Sequence, residues 1–250
     1  VVTYYDERTR NQILGVDISP TSGYTSQTVN AGEIRNWGYE MLLRAVPVRL
    51  DNGFTWETTV NFALPKNEVV DLYGGEDGID AYRLGGAYWS LEVQARRGRP
   101  YGVLWGNGFL RHEGKIVVDE NGVPLIDPVM RELGNYNPDW LAGIRNRFTY
   151  GDFDLSFLLD TKQGGQLFST TIWFNRYAGV AEETLEGREN DFCDPGIVVP
   201  GVKVVGTNAD GSSQYAENDI KVCPQDYFHA VFGNHERGIV DASFIKLRGV

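Results

Sequence analysis

The stretch that decides the fold runs from Asn36 to Leu64 and reads NWGYEMLLRAVPVRLDNGFTWETTVNFAL. Two segments of alternating character flank Asn52-Gly53, the residue pair preferred in the two-residue type I′ turn of a β-hairpin. With that turn, Asp51 lies opposite Phe54 and every other pair follows by counting. One face then receives Arg49 with Trp56, Pro47 with Thr58, Ala45 with Val60, Leu43 with Phe62 and Met41 with Leu64. The other receives Leu50 with Thr55, Val48 with Glu57, Val46 with Thr59 and Arg44 with Asn61, so one face is largely apolar and the other carries most of the polar groups.

A second hairpin repeats this design, with a strand from Trp140 to Tyr150, a turn at Gly151-Asp152 and a strand from Phe153 to about Trp173. The predicted pairs on the apolar face are Tyr150 with Phe153, Phe148 with Leu155, Asn146 with Phe157, Ile144 with Leu159 and Ala142 with Thr161. The polar face receives Thr149 with Asp154, Arg147 with Ser156, Arg145 with Leu158 and Gly143 with Asp160. A slip of one residue would exchange the two faces.

Two all-β architectures accommodate such hairpins. In a soluble sandwich the apolar face packs on a second sheet. In an outer-membrane barrel it contacts lipid, and short turns at one end alternate with long loops at the other. The strands here run 11 to 20 residues, above the ~5–6 usual in globular sheets, and the connections at residues 65–139 and 175–237 are very long. We therefore expect antiparallel strands of a transmembrane β-barrel with long extracellular loops.

The barrel also explains which face each residue type occupies. Arg44 or Arg147 at the bilayer midplane would cost ~2–4 kcal/mol each, so both belong on the lumen face. Phe54, Trp56, Tyr150 and Phe153 cluster beside the turns, where a barrel has an aromatic girdle.

Composition and length bound the remaining interpretation. The 250 residues carry a net charge of −11, which argues against nucleic acid as a partner because binding phosphates requires a basic face. Two further β-segments, Val2 to Arg8 and Ile239 to Leu247, bring the total to about six strands. Six cannot close around a lumen, since the smallest single-chain barrels have about eight.

The two cysteines, Cys193 and Cys223, share one region rich in Gly, Asn and Asp. In an exported protein such a pair forms a disulfide that closes a loop of about 30 residues and contributes on the order of 3 kcal/mol. The alternative is two unrelated buried thiols.

Three sequence blocks carry a resemblance to a known family. They are NAGEIRNWGYE (Asn30 to Glu40), LGNYNPDW (Leu133 to Trp140) continuing to DTKQGG (Asp160 to Gly165), and VDASFIKLR (Val240 to Arg248); Tyr4-Tyr5 and Thr21-Ser22-Gly23-Tyr24 fit the same pattern. In these blocks the sequence resembles the SusC/RagA-like TonB-dependent outer-membrane transporters of Gram-negative bacteria.

The resemblance implies a plugged barrel of about 22 strands that imports glycans or peptides. It further implies energy supplied by the TonB complex, a SusD-like surface lipoprotein as partner, and a location in the outer membrane of a Gram-negative bacterium. Family members also have a plug domain and further closing strands, for which this sequence shows no match. We therefore expect residues 1–250 to be a C-terminal portion of the barrel.

One loop holds the candidate binding residues. Tyr88, Trp89, Tyr101 and Trp105 belong to a stretch of aromatic and glycine residues, and aromatic faces on loops can stack on sugars or peptide side chains. The alternative is a loop that folds around its own small core.

Other chemistry has weaker support. Glu76, Asp77 and Asp80, or Asp119 to Gly122, supply oxygen ligands for calcium, but neither set has the spacing of a twelve-residue calcium loop. The three histidines lack metal-type spacing, and no Gly-x-Ser-x-Gly motif marks a hydrolase. We expect no catalytic residues. The rival hypothesis is a secreted β-rich carbohydrate-binding module or glycoside hydrolase, which needs two carboxylates at ~5–10 Å across the scissile bond.

Overall fold

The computed structural model describes residues 1–17, 26–74, 78–85 and 89–249. Its strands are β1 (Val2–Asp17), β2 (Ser26–Arg49), β3 (Thr55–Asp71), β4 (Ala81–Arg83), β5 (Glu92–Arg96), β6 (Val103–Gly106), β7 (Arg111–His112), β8 (Lys115–Val118), β9 (Arg131–Asn135), β10 (Trp140–Tyr150), β11 (Phe153–Gln163), β12 (Gln166–Phe168), β13 (Ile197–Val198), β14 (Val202–Thr207), β15 (Ser213–Glu217), β16 (Lys221–Val222), β17 (Ile239–Asp241) and β18 (Phe244–Arg248). The α-helices are α1 (Thr170–Tyr177) and α2 (Pro224–Ala230), and short 3-10 helices span Glu182–Leu185, Val231–Gly233 and His235–Gly238.

Five long strands and the short edge strand β18 form one antiparallel sheet in the order β1-β2-β3-β10-β11-β18. This confirms the all-β prediction and the count of about six main strands. The second hairpin confirms its predicted register in every pair, from Tyr150 opposite Phe153 to Ala142 opposite Thr161. The register then continues into β3, where Phe148 lies opposite Trp56 and Ile144 opposite Val60.

The first hairpin departs from its predicted register, and the departure has two causes. Its turn is a three-residue loop, in which the Leu50 N–H donates to the Phe54 carbonyl at 2.9 Å and Gly53 takes a left-handed φ of +85°. A β-bulge then inserts Val46 and Pro47 opposite one residue of β3. Proline has no N–H to donate, so it fits a position that leaves the ladder.

Each irregularity shifts the pairing by one residue, and together they shift it by two. Leu43 therefore lies opposite Val60 instead of Phe62, and Met41 lies opposite Phe62 instead of Leu64. Below the bulge, the shift of two preserves which side chains share a face, so the predicted apolar and polar faces hold there although the predicted pairs are wrong. Between the bulge and the turn the shift is one and the faces are exchanged, so Val48 lies opposite Trp56 in place of Arg49.

Strand ends also differ from the prediction. β11 ends at Gln163 because Gly164 and Gly165 adopt φ of +76° and +78°, and the residues up to Trp173 continue in β12 and helix α1. The Ser169 side chain caps α1 by accepting from the Ile172 N–H. The last predicted strand divides into β17 and β18, while β1 and β3 extend to Asp17 and Asp71.

The apolar face of the main sheet is bounded by two groups of aromatic rings. Near the turns, the Phe148 ring lies 5.9 Å from Trp56 and 6.4 Å from Phe54, and Tyr150 and Phe153 are exposed. At the other end, Phe62 lies 5.8 Å from Trp140. Eight residues separate Trp140 from Phe148, about 26 Å along the strand.

Asn146, the one amide side chain that the predicted pairing places on this face of the second hairpin, is buried, and its side-chain oxygen has a hydrogen-bond partner. Its Oδ1 accepts a hydrogen bond from the Trp56 indole N–H at 2.9 Å. The side-chain oxygen of Asn146 is therefore paired although it lies on the apolar face. The same hydrogen bond fixes the orientation of the Trp56 ring beside Phe148.

The long connections fold into structures of their own. Small sheets have the orders β4-β5-β6-β9, β15-β14-β8-β7, β12-β17 and β13-β16. Two small cores support them, one around Val69, Leu72 and Ala95 and the other around Val118, Val199 and Val222. In the described part of the chain, no helix is long and apolar enough to cross a membrane.

Candidate binding surface of the long loops

The predicted binding residues occupy three different environments. Tyr88 lies outside the described residues. Tyr101 packs on a core, Trp105 lies on the polar face of a small sheet, and Trp89 joins an aromatic cluster with residues of other connections. Substrate binding by these four residues stays a prediction.

Tyr101 lines a cavity of about 170 Å³ between the main sheet and the β4-β5-β6-β9 sheet. Its ring packs against the core of Val69, Leu72 and Ala95. Its backbone is held on both sides, because its N–H donates to Asn67 Oδ1 at 2.7 Å and its carbonyl accepts from the Asn137 side chain at 2.8 Å. Tyr101 thus serves the loop core and also borders a cavity with both polar and apolar lining residues.

Trp105 lies on a face with polar neighbours. The Arg96 guanidinium lies 3.8 Å from the centre of the Trp105 ring, within the range of a cation–π interaction. Arg96 also donates to Gln94 Oε1 at 2.9 Å, and the Gln94 amide donates to Glu92. One face of the indole is therefore occupied by a cation whose orientation is fixed by neighbouring side chains.

Trp89 belongs to an aromatic cluster made by Trp89, Phe168, Trp173, Phe174, Tyr177, Phe232 and His235. Trp173 and Phe232 stack at 4.2 Å in its middle, and Trp89 meets both edge-on at 6.0 Å. Trp89 remains 57% exposed, so it combines fixed packing with a surface open to solvent.

His235 joins the two long connections, a role that no motif or spacing in the sequence indicates. It is 2% exposed, and its Nδ1 accepts from the Asn107 N–H at 2.9 Å while its Nε2 lies 2.6 Å from the Trp89 carbonyl. These partners define a neutral ring with the proton on Nε2. Trp89 and Ser90 have left-handed φ of +51° and +73°, a conformation that costs non-glycine residues energy and that His235 helps to hold.

A cluster of one carboxylate and two arginines links α1 and the two 3-10 helices Glu182–Leu185 and His235–Gly238. Glu183 forms ion pairs with Arg176 and Arg237. Burial alone raises the pKa of the Glu183 carboxyl, but hydrogen bonds and charges from the two arginines offset this and hold the pKa below its ordinary value. At neutral pH the cluster therefore contains one carboxylate between two guanidinium groups.

The candidate calcium ligands are only partly described. Glu76 and Asp77 lie outside the described residues, and Asp80 forms an ion pair with Arg97. Asp119 Oδ1 accepts from the N–H groups of Asn121 and Val123, as in an acidic turn. Within the described ranges, no three His, Cys, Asp or Glu side chains are grouped to hold a metal ion.

Cys193 and Cys223 are joined by a disulfide in the structure. The bond connects the segment before β13 to the residue preceding α2. Since α2 packs against the 3-10 helix Glu182–Leu185 and against α1, the disulfide constrains the same group of helices.

In sequence, the chain is similar to known TonB-dependent receptors. No known family profile matches the chain. TonB-dependent receptor P26 of Formosa agariphila is 31% identical over an alignment of 250 positions, gaps included. The alignment covers 87% of this chain and 24% of the relative. TonB-dependent receptor P3 of the same organism is 27% identical and covers 68% of this chain and 19% of the relative.

Solved structures agree with the architecture. The chain matches the RagAB peptide importer in its open-open state with a TM-score of 0.65 at 15% identity, covering 99% of this chain and 25% of that one. The closed-closed state gives a TM-score of 0.61 at 14% identity, covering 99% and 26%. The chain belongs to the TonB-dependent receptors. This TonB-dependent receptor chain spans about a quarter of the length of the relatives it matches, and the names of those relatives describe receptors and importers.

Proposed function

We propose that this chain supplies barrel strands and outer loops to a transporter that imports nutrients across the outer membrane of a Gram-negative bacterium. The observation that carries the proposal is the antiparallel sheet with one continuous apolar face between two groups of aromatic rings. An apolar band about 25 Å tall with aromatic girdles is what a lipid-facing barrel wall requires.

The opposite face has the character of a lumen wall. Arg147 forms an ion pair with Asp154 at 2.7 Å and lies opposite Glu57, and Asp160 pairs with Arg248 at 2.9 Å. Along β10 and β11, polar and charged side chains on this face alternate with mostly apolar ones on the other, as in a barrel that encloses water.

Partners and substrate follow from the family. We infer that the TonB complex supplies the energy, that a SusD-like surface lipoprotein covers the outer end, and that the imported compound is a peptide or a glycan. The peptide importer RagAB and the Formosa receptors support these inferences by similarity. The loops that carry Trp89, Tyr101 and Trp105 are then the parts that first meet the substrate.

Two adjacent leucines test the assignment of faces. Leu43 lies on the apolar face opposite Val60, midway between the aromatic groups, and Leu42 lies on the other face opposite Asn61. In the full-length protein, Leu43→Arg should reduce the yield of folded barrel in the outer membrane and lower its unfolding temperature on heated gels, because arginine at the midplane costs ~2–4 kcal/mol. Leu42→Arg, the matched control, should have little effect. Equal effects of the two substitutions would contradict the lipid-facing assignment.

Uptake tests the transport itself. Cells that express the full-length protein should accumulate fluorescent oligopeptides or oligosaccharides only when TonB is present. Uptake of the same compound at equal rates in cells without TonB would overturn the proposal of energised import.

A further inference from the structure

A small pocket lies where α1, the 3-10 helix Glu182–Leu185 and α2 meet. Its volume is about 110 Å³, and the side chains that define it are Tyr177, Arg188, Phe192, Pro224, Phe228 and His229. A water needs ~10–15 Å³ by this kind of measure, whereas pockets for whole drug-sized ligands span ~300–1,000 Å³. The pocket therefore fits the end of a ligand.

The pocket carries an uncompensated positive charge. Arg188 Nη1 lies 3.5 Å from the carbonyls of Gly179 and Thr184, which are long and weak contacts. Across the described ranges, no carboxylate lies within 4 Å of the Arg188 guanidinium, and the pocket lining contains no Asp or Glu. In a chain with a net charge of −11, a lining with arginine and without acidic residues favours an anionic group.

Two neighbouring arginines differ from Arg188 because they have a carboxylate partner. Arg176 and Arg237 are both neutralised by Glu183, so their charges are satisfied within the protein. Arg188 retains most of its five N–H donors, and the planar fork of a guanidinium matches both oxygens of a carboxylate.

The walls of the pocket are apolar and fixed. Phe192, Pro224 and Phe228 supply hydrophobic surface, and the rings of Tyr177 and His229 stack at 4.5 Å. The disulfide joins Cys193, next to Phe192, to Cys223, next to Pro224, so two walls that lie far apart in sequence are tied together.

We propose that this pocket binds the C-terminal carboxylate of a peptide that ends in an apolar residue. The carboxylate pairs with Arg188, and the last side chain lies against Phe192 and Phe228. A peptide is favoured over a glycan because the lining lacks the carboxylates that accept hydrogen bonds from sugar hydroxyls. The proposal deepens the proposed function and rests on it, since import gives peptides a reason to reach the loops.

Binding to the purified full-length protein tests the proposal. The probes are an N-terminally fluorescein-labelled Ala-Ala-Ala-Phe peptide with a free carboxylate and the same peptide as its C-terminal amide, measured by fluorescence anisotropy. We expect the free acid to bind about tenfold or more tightly than the amide, because charge-assisted hydrogen bonds to the carboxylate are lost in the amide. Arg188→Gln should abolish this preference.

Two further variants separate binding from folding. Arg188→Lys keeps the charge without the fork and should retain a reduced preference for the acid. Arg99→Gln removes a more exposed arginine that pairs with Glu132 on another loop, and it should leave the preference unchanged.

Each remaining outcome decides one of the two proposals. Equal binding of acid and amide by the wild-type protein, or no binding of either, would overturn the pocket assignment. Arg188-dependent binding of an oligogalacturonate, tighter than that of the peptide, would overturn the choice of a peptide. A clear acid preference combined with uptake that does not need TonB would leave the pocket standing and contradict the transport proposal.

Discussion

Replacing His235 with alanine should loosen the contact between the two long connections. The substitution removes the acceptor of the Asn107 N–H and the donor to the Trp89 carbonyl. A buried polar group left without a partner costs about 1–3 kcal/mol, so the two groups together cost about 2–6 kcal/mol. The lost ring adds a cavity beside Trp173, where His235 is 2% exposed.

Hydrogen exchange on the full-length protein measures this effect residue by residue. The Asn107 amide should exchange about thirtyfold faster or more in the His235→Ala variant, because 1.4 kcal/mol corresponds to a factor of ten. Exchange should also rise at Ser90, since the left-handed residues Trp89 and Ser90 lose a restraint.

Two controls isolate the hydrogen bonds. His235→Phe keeps the ring volume but neither hydrogen bond, so it should raise exchange at Asn107 as much as alanine does. His112→Ala removes a ring that stacks on Tyr215 at 3.8 Å in another sheet, and it should leave Asn107 unchanged. Exchange of Asn107 at the wild-type rate in His235→Ala would refute the role assigned to His235.

Two further predictions concern the helices around the disulfide. Replacing Cys193 and Cys223 with serine should destabilise the connection between β13 and α2 by about 3.6 kcal/mol, since the bond closes a loop with a sequence separation of 30, and faster proteolysis of this region relative to the main sheet would show it. Because the pKa of Glu183 is held below its ordinary value of 4.5, the stabilisation from its ion pairs should be complete above pH 4.5 and be lost as the pH falls below that value. Glu183→Gln removes the pairs at every pH, so its difference from the wild-type protein in exchange protection of α1 should shrink on acidification; a constant difference would contradict the assignment.

The two hairpins show which part of a β-fold can be read from sequence. The hairpin of β10 and β11 was predicted pair by pair because its two-residue turn leaves uninterrupted alternation on both sides. In the first hairpin, Asn52-Gly53 serves equally well in a three-residue loop, and Pro47 marks a bulge whose position the alternation does not reveal. The predicted pairs of this first hairpin depend on register and were wrong. The face of a side chain depends on whether the shift is odd or even, so the faces were right below the bulge, where the shift is two, and exchanged beside the turn, where it is one.

The loops resist prediction for a different reason. Tyr101 and Trp105 are four residues apart, yet Tyr101 packs on a small hydrophobic core and Trp105 stacks under Arg96 on a polar face, because a turn separates Tyr101 from β6. His235 meets Asn107 and Trp89 across sequence separations of 128 and 146 residues, and no periodic pattern connects positions so far apart.

Contacts between residues far apart in sequence explain how the long loops can present a defined surface. A structureless connection of this length would lose conformational entropy each time it held a ligand. Here small cores, the disulfide and the buried His235 fix the connections before any ligand arrives. His235 holds the backbone of Trp89, and the disulfide ties together two walls of the Arg188 pocket. On the proposed function, replacing the cysteines with serine should therefore weaken peptide binding in the anisotropy assay, because the pocket would no longer be ordered before the ligand arrives.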